Sequence, residues 1–286
     1  MHLMPLLIIA RLTLREAARR RLLHAVAILT VLVIGLTGWG ISRLATLHDS
    51  SGQPLPHSEV MATTAGLVIL LAYMFSFVLA IGAAFLAAPA IAGDVDSGLV
   101  LALLPRPLRR SQFVLGKWLA LAALLVTYGG LASGVELALV RALTGYVPPH
   151  PVQAMAFLAG ESVVVLTLAL LGSTRLASMT CGIVVLALFG VAWIAGIAEA
   201  VGLAFHNTAI TTAGTAMSLL LPSDGLWRGA VYNLEPAALI ALGNAAARAD
   251  PFSVAAPPPT SYLMWAVGWV VVILGLAALS FRRRDL

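Results

Sequence analysis

The chain has 286 residues, of which 60% are hydrophobic and only 10% charged, at a mean hydropathy of +0.99. Soluble domains carry about 25% charged residues, so a globule of this composition would expose a large apolar skin. A bilayer must be its solvent, which excludes a soluble enzyme or a soluble nucleic-acid-binding domain. The net charge of +5 comes from basic residues that flank apolar runs, as membrane insertion requires. The single cysteine, Cys181, leaves no intramolecular disulfide, cysteine metal cluster or redox pair.

In residues 1–21, Arg11, Arg15 and Arg19 recur every fourth position among Leu7, Ile8, Leu12, Leu14, Ala17 and Ala18. This pattern predicts an amphipathic helix lying on the membrane face. It is no cleavable signal, since its apolar stretch precedes the arginines. A hydrocarbon core of roughly 30 Å needs about 20 apolar residues, and six segments meet that need: 22–41, 60–93, 113–140, 152–172, 176–201 and 262–281. The second is long, and is tilted or broken near Pro89. The predicted fold class is therefore all-α, a polytopic membrane protein of six spans.

Alternating spans sort the 17 basic residues into thirteen on one side and four, Arg43, Arg141, Arg228 and Arg248, on the other. The bias places both termini in the cytoplasm. Residues 22–205 then hold spans one to five with a cytoplasmic loop at 93–112, and residues 261–286 hold span six and a basic tail. Residues 206–260 form an outer segment too long to be structureless. Ser223, as an N-cap before Asp224, opens one short helix carrying Leu226, Trp227 and Tyr232. Glu235 followed by Pro236 opens another, to about Ala247. The segment reads as an outer cap.

The loop at 93–112 is the most informative stretch. Asp94 and Asp96 precede a short apolar helix, Gly98 to Leu104, whose N-terminus favours negative charge. Pro105 and Pro107 end that helix and leave Arg106, Arg109 and Arg110 exposed. Such an element suits docking onto a cytoplasmic partner; the alternative is that its basic residues only anchor the loop to lipid headgroups. The series Asp94, Asp96, Gly98, Leu103, Leu104, Pro107, Leu108, Arg110, Leu115, Gly116, Lys117 resembles the loop between spans two and three of ABC-2 type permeases, the membrane subunits of ABC exporters. The arginine-rich helix before span one, the six spans and the closing Phe-Arg-Arg-Arg-Asp-Leu extend the resemblance over the whole chain. Asp94 stands where the family often has Glu, Leu99 where it has Thr and Pro105 where it has Ser or Ala.

The resemblance implies a multi-pass protein of a bacterial-type inner membrane that exports a hydrophobic or amphipathic substrate. It implies that Asp94, Asp96, Gly98, Leu103, Leu104, Pro107, Arg109 and Arg110 couple to a separate ATPase subunit, which holds ATP and Mg, and that a second permease copy or homologue completes the transporter. This chain carries no Walker A: around Gly116 and Lys117, Ser111 replaces the earlier glycine and Trp118 the following hydroxyl residue.

Three acids lie within the apolar spans, Glu136, Glu161 and Glu199. Intramembrane acids are costly and usually functional, which makes the three candidate pathway residues. Glu136 and Glu199 sit near enough to the outer ends to be hydrated, with Arg141 as a local partner for the former; Glu161 lies deeper. A proton-coupled secondary transporter using Glu161 is the alternative function. A membrane-embedded enzyme would need a nucleophile, metal cluster or paired acids at one depth, and no such set is found. His48, His57, His150 and His206 lie on different loops without ligand spacing, so no metal site is expected. Gly35, Gly38 and Gly40 in span one, and Gly190, Gly196 and Gly202 in span five, permit close helix contacts, as at a seam between two copies.

Overall fold

The computed structural model describes residues 3–18, 21–44, 57–98, 110–235, 254 and 256–284, all-helical apart from turns. The helices in chain order are α1 (Leu3–Ala18), α2 (Arg21–Leu44), α3 (His57–Asp96), α4 (Arg110–Thr144), α5 (Pro151–Ser173), α6 (Ser178–Ala204), α7 (Thr208–Leu220), α8 (Ser223–Leu234) and α9 (Thr260–Arg282). Six of them, α2 to α6 and α9, are long and apolar enough to cross a membrane. Alternation brings Arg21, Arg110, Arg175 and Arg282 to one end of the bundle, called here the basic end, and leaves Thr144, Pro151 and Ala204 at the distal end.

The second span is not broken. Its 40 residues run through Pro89 as one helix, about 60 Å at 1.5 Å per residue, twice the hydrocarbon thickness. Alanines explain how such a helix sits at the centre: Ala83, Ala84, Ala87 and Ala88 are fully buried and share a core cluster with Val165, Leu166, Ala169 and Leu170 of α5. Small side chains let helix backbones approach where no hydrophobic effect drives them together. α5 touches α3, α4, α6, α8 and α9 and is the axle of the bundle.

α1 packs along α4 with Ile9, Ala10, Thr13 and Ala17 buried while Arg11 and Arg15 stay exposed. α2 and α9 lie at the periphery. Ile28, Val31 and Leu32 of the first, and Met264, Val267 and Val271 of the second, are more than half exposed, an apolar surface that only lipid or another membrane chain can cover.

The segment between the fifth and sixth spans departs from the expected outer cap. Its described helices, α7 and α8, form a hairpin that folds back among the spans. α8 runs antiparallel to α5. A Cβ on Gly160 would meet Leu226 and one on Gly229 would meet Phe157, and the amide of His150 donates to Asn233 O at 3.1 Å. At the hairpin turn, Trp269 Nε1 donates to Leu220 O at 2.8 Å and Trp265 Nε1 to Leu219 O at 3.0 Å. Trp269 lies about 14 Å along α9 from Thr260, so the turn reaches the middle of the bundle. α7, unforeseen in the sequence, is opened by Asn207, whose side chain accepts from the Ile210 amide at 3.2 Å. Ser223 is not an N-cap: it is the first helical residue of α8, behind Pro222. The helix expected from Glu235 to Ala247 lies outside the described residues.

Candidate functional site

At the basic end, the two acids expected to precede a docking helix belong to the last turn of α3. There the helix C-terminus disfavours negative charge, and a basic residue offsets it. Asp94 is 6% exposed and forms an ion pair with Lys117 of α4, itself 3% exposed. Lys117 also donates to the Ala90 carbonyl and lies over the Phe113 ring at 5.0 Å. Asp94 is thus bound inside the fold rather than offered to a partner, whereas Asp96 is exposed. A turn follows the helix at Ser97 and Gly98, and the φ of +70° at Gly98 is strained for any residue with a Cβ. Leu103, Leu104, Pro107 and Arg109 lie outside the described residues.

Arg110 is likewise committed inward. Its Nη1 donates to Phe281 O at 3.3 Å, Arg282 O at 3.1 Å and Arg284 O at 2.9 Å, carbonyls at and just beyond the C-terminus of α9, where a cation is favoured. Phe113 stacks on Phe281 at 5.7 Å. The turn between α5 and α6 joins the same knot: Thr174 and Ser280 share a hydroxyl bond of 2.8 Å, Arg175 Nε donates to Ser280 Oγ at 3.1 Å, and Arg284 Nη1 donates to Thr174 O at 2.9 Å. Both ends of the 99–109 loop are therefore tied into α4 and α9.

The three intramembrane acids have separate hydrogen-bond partners. Glu161 of α5 is 2% exposed, accepts from Ser76 Oγ of α3 at 2.8 Å, and keeps its Oε2 without a partner. Glu136 of α4 is 4% exposed and accepts from Thr37 Oγ1 of α2 at 3.3 Å; it is buried rather than hydrated, and no ion pair joins it to Arg141 among the described residues. Glu199 of α6 is half-buried and accepts from Thr215 Oγ1 of α7 at 2.6 Å. It belongs to the hairpin.

Sequence reasoning missed the hairpin's own charges. Arg228 Nε donates to Asp224 Oδ2 at 2.7 Å while its Nη2 donates to Gly196 O at 2.6 Å. Asp224 is 5% exposed, and the Arg228 guanidinium is the partner that offsets its buried charge. Gly196 is required here because a Cβ would collide with the Asp224 carboxylate, and Gly214 because its Cβ would fall 2.7 Å from Ala195 O. The glycines Gly196 and Gly202 of span five thus receive the hairpin of the same chain, while Gly190, Gly35 and Gly40 meet nothing within 4 Å and Gly38 meets Leu139. The available signal was the four-residue spacing from Asp224 to Arg228, an ion-pair interval on a helix. Beside the pair, Tyr73 packs on Trp227 with centroids 4.1 Å apart, and Trp193 meets both Tyr73 and Phe77 edge-on.

Six spans, a hairpin dipping to mid-depth with a buried ion pair, and ion-pair and hydrogen-bond ties among three helices at the basic end define a polytopic helical membrane protein. The chain belongs to the ABC-2 family transporter proteins, whose family model matches residues 7–286. It is a transmembrane permease of an ABC-type transporter and a membrane subunit. No curated protein matches it.

Proposed function

We propose that this permease works as half of an ATP-driven exporter for hydrophobic or amphipathic molecules, with both termini and the basic end in the cytoplasm. A separate ATPase subunit, carrying ATP and Mg, docks on the 99–109 loop through Leu103, Leu104, Pro107 and Arg109, with Asp96 and Gly98 at its near edge. A second permease copy or homologue covers the apolar faces left open. Asp94 and Arg110 serve the same coupling from inside, as the roots of the loop. The observation that carries this reading is the fastening of those roots: Asp94 to Lys117 and Arg110 to the carbonyls of α9. A push on the loop then moves α3, α4 and α9 instead of bending a flexible connector.

The test is co-expression with a candidate ABC nucleotide-binding subunit from the same genome, followed by purification and vesicle transport. Wild type co-purifies with that subunit and transports only with ATP; deletion of residues 99–108 abolishes co-purification while the spans still fold. Transport that persists without any ATPase and collapses with the proton gradient would replace this reading with proton coupling through Glu161, the acid with an unpartnered oxygen.

A further inference from the structure

The sixth span bears on how movement reaches the interior, in an inference that rests on the permease reading. α9 is one helix without proline, and its polar attachments fall into two groups. At the basic end, carbonyls at its C-terminus hold Arg110, Ser280 shares a hydroxyl bond with Thr174 and accepts from Arg175, and Phe281 stacks on Phe113. The second group is a row of aromatic donors. Tyr262, Trp265 and Trp269 stand at i, i+3 and i+7, on one face of the helix. Tyr262 Oη donates to Ser218 O at 3.4 Å, Trp265 Nε1 to Leu219 O at 3.0 Å and Trp269 Nε1 to Leu220 O at 2.8 Å. These are three successive carbonyls in the last turn of α7, where a helix supplies no donor of its own.

The hairpin is shaped to receive that row. A Cβ on Gly225 would collide with the Tyr262 ring, and Leu221 and Leu226 pack with Ala266 and Trp269 in one core cluster. Between the two groups of attachments, the ten residues 270–279 carry no side chain able to hydrogen-bond. Apolar packing is non-directional, so this stretch can slide along α4 and α5 while both groups stay fastened. The helix itself holds its length, about 18 Å from Trp269 to Phe281. The hairpin also has something to gain by moving. Trp227 Nε1 of α8 and Glu161 Oε2 of α5 are buried without a hydrogen-bond partner, a cost that a shifted hairpin can relieve.

We infer that α9 is the rod that carries movement of the loop root to the hairpin, with Tyr262, Trp265 and Trp269 as the positioning residues that hold the turn to it. A pull on Arg110 slides α9 along its axis, the shear motion of packed helices, and the three donors draw the turn with it. Coupling of this kind is reciprocal. A lesion at either end of α9 is therefore felt at the other.

The test is amide hydrogen exchange on the purified chain in nanodiscs, read at residues 218–226 and 280–284. Arg110→Gln should speed exchange at 218–226 by about threefold or more, and Trp265→Phe with Trp269→Phe, which keeps aromatic rings and removes both N–H groups, should do the same at 280–284. Adding Arg110→Gln to the tryptophan pair should bring little further change at the hairpin. Thr30→Val, which cuts the hydroxyl bond between α2 and Tyr128, should alter neither segment. If the tryptophan pair fails to fold, Tyr262→Phe replaces it, with one hydroxyl removed. Effects confined to the mutated end overturn the inference, as does equal loosening by Thr30→Val. With the ATPase present, the tryptophan pair should still co-purify with it but lower transport per ATP by about fivefold or more; normal transport per ATP also overturns the inference. The exchange measurement contains no ATPase, so its failure is distinguishable from a failed co-purification, which would overturn the permease reading and leave the link along α9 standing.

Discussion

Arg228 reaches a carboxylate and a backbone carbonyl at once, and removing it strands Asp224 against Gly196 in the middle of the bundle. Breaking a buried pair from one side costs on the order of 3–5 kcal/mol, so Arg228→Ala should lower the thermal unfolding temperature in detergent markedly. Asp224→Ala added to it should cost less than the sum of the two single changes; strict additivity would mean that the pair is not a unit. Tyr146 offers a second residue-level test. Burial first, and the Glu235 carboxylate second, push its phenol up to about 12 from an ordinary 10. A raised folded pKa means that the stabilisation is whole below pH 10 and is lost as pH rises from about 10 through 12, because the unfolded phenol ionises first. Unfolding followed across that window should show the loss in wild type and a smaller one in Tyr146→Phe. Such residues were only half legible in the sequence: the spacing from Asp224 to Arg228 was visible, but its partner Gly196 comes from another helix, and no local pattern points there.

The hairpin of α7 and α8 is where element-level reasoning from sequence failed. Thirteen residues from Thr208 to Leu220 are too few to cross a bilayer, and a segment between two spans defaults to an outer loop. The alternative, dipping inward, depends on Gly196, Gly202 and Gly214 opening room on facing helices, a tertiary match that periodicity does not encode. The prediction is direct. A cysteine at Ser223, 1% exposed, should resist a membrane-impermeant thiol reagent from both sides, while one at His206, exposed beyond the end of α6, should label from outside. The native Cys181 is fully buried and gives little background. Rapid labelling at Ser223 would mean that the turn stands in water, as a cap would.

For the whole molecule, six spans and their limits were readable within a few residues because the hydrocarbon thickness sets the length of an apolar run regardless of tertiary detail. The roles of charged residues were not. Asp94, Arg110 and Lys117 read as loop chemistry in one dimension and prove to be tied into α4 and α9, since a sequence does not reveal which way a side chain at a helix end turns. This separates two functions that look alike. Lys117→Met should reduce stability by leaving Asp94 buried and unpaired, and Asp94→Asn added to it should restore much of that stability. If the pair transmits motion, the double variant should still fail to couple ATP hydrolysis to transport when assayed with its ATPase; full recovery of coupling would reduce the pair to a structural tie.

The three carbonyls that hold Arg110 come from residues made 171 to 174 positions later. On the ribosome, the loop root therefore remains unfastened until the last span has been synthesised and inserted. A truncated chain would present an unanchored loop, and a fusion pulling on the residues after Arg284 would tug on the same root. Completion of the final helix is thus the step after which Arg110 can be fastened.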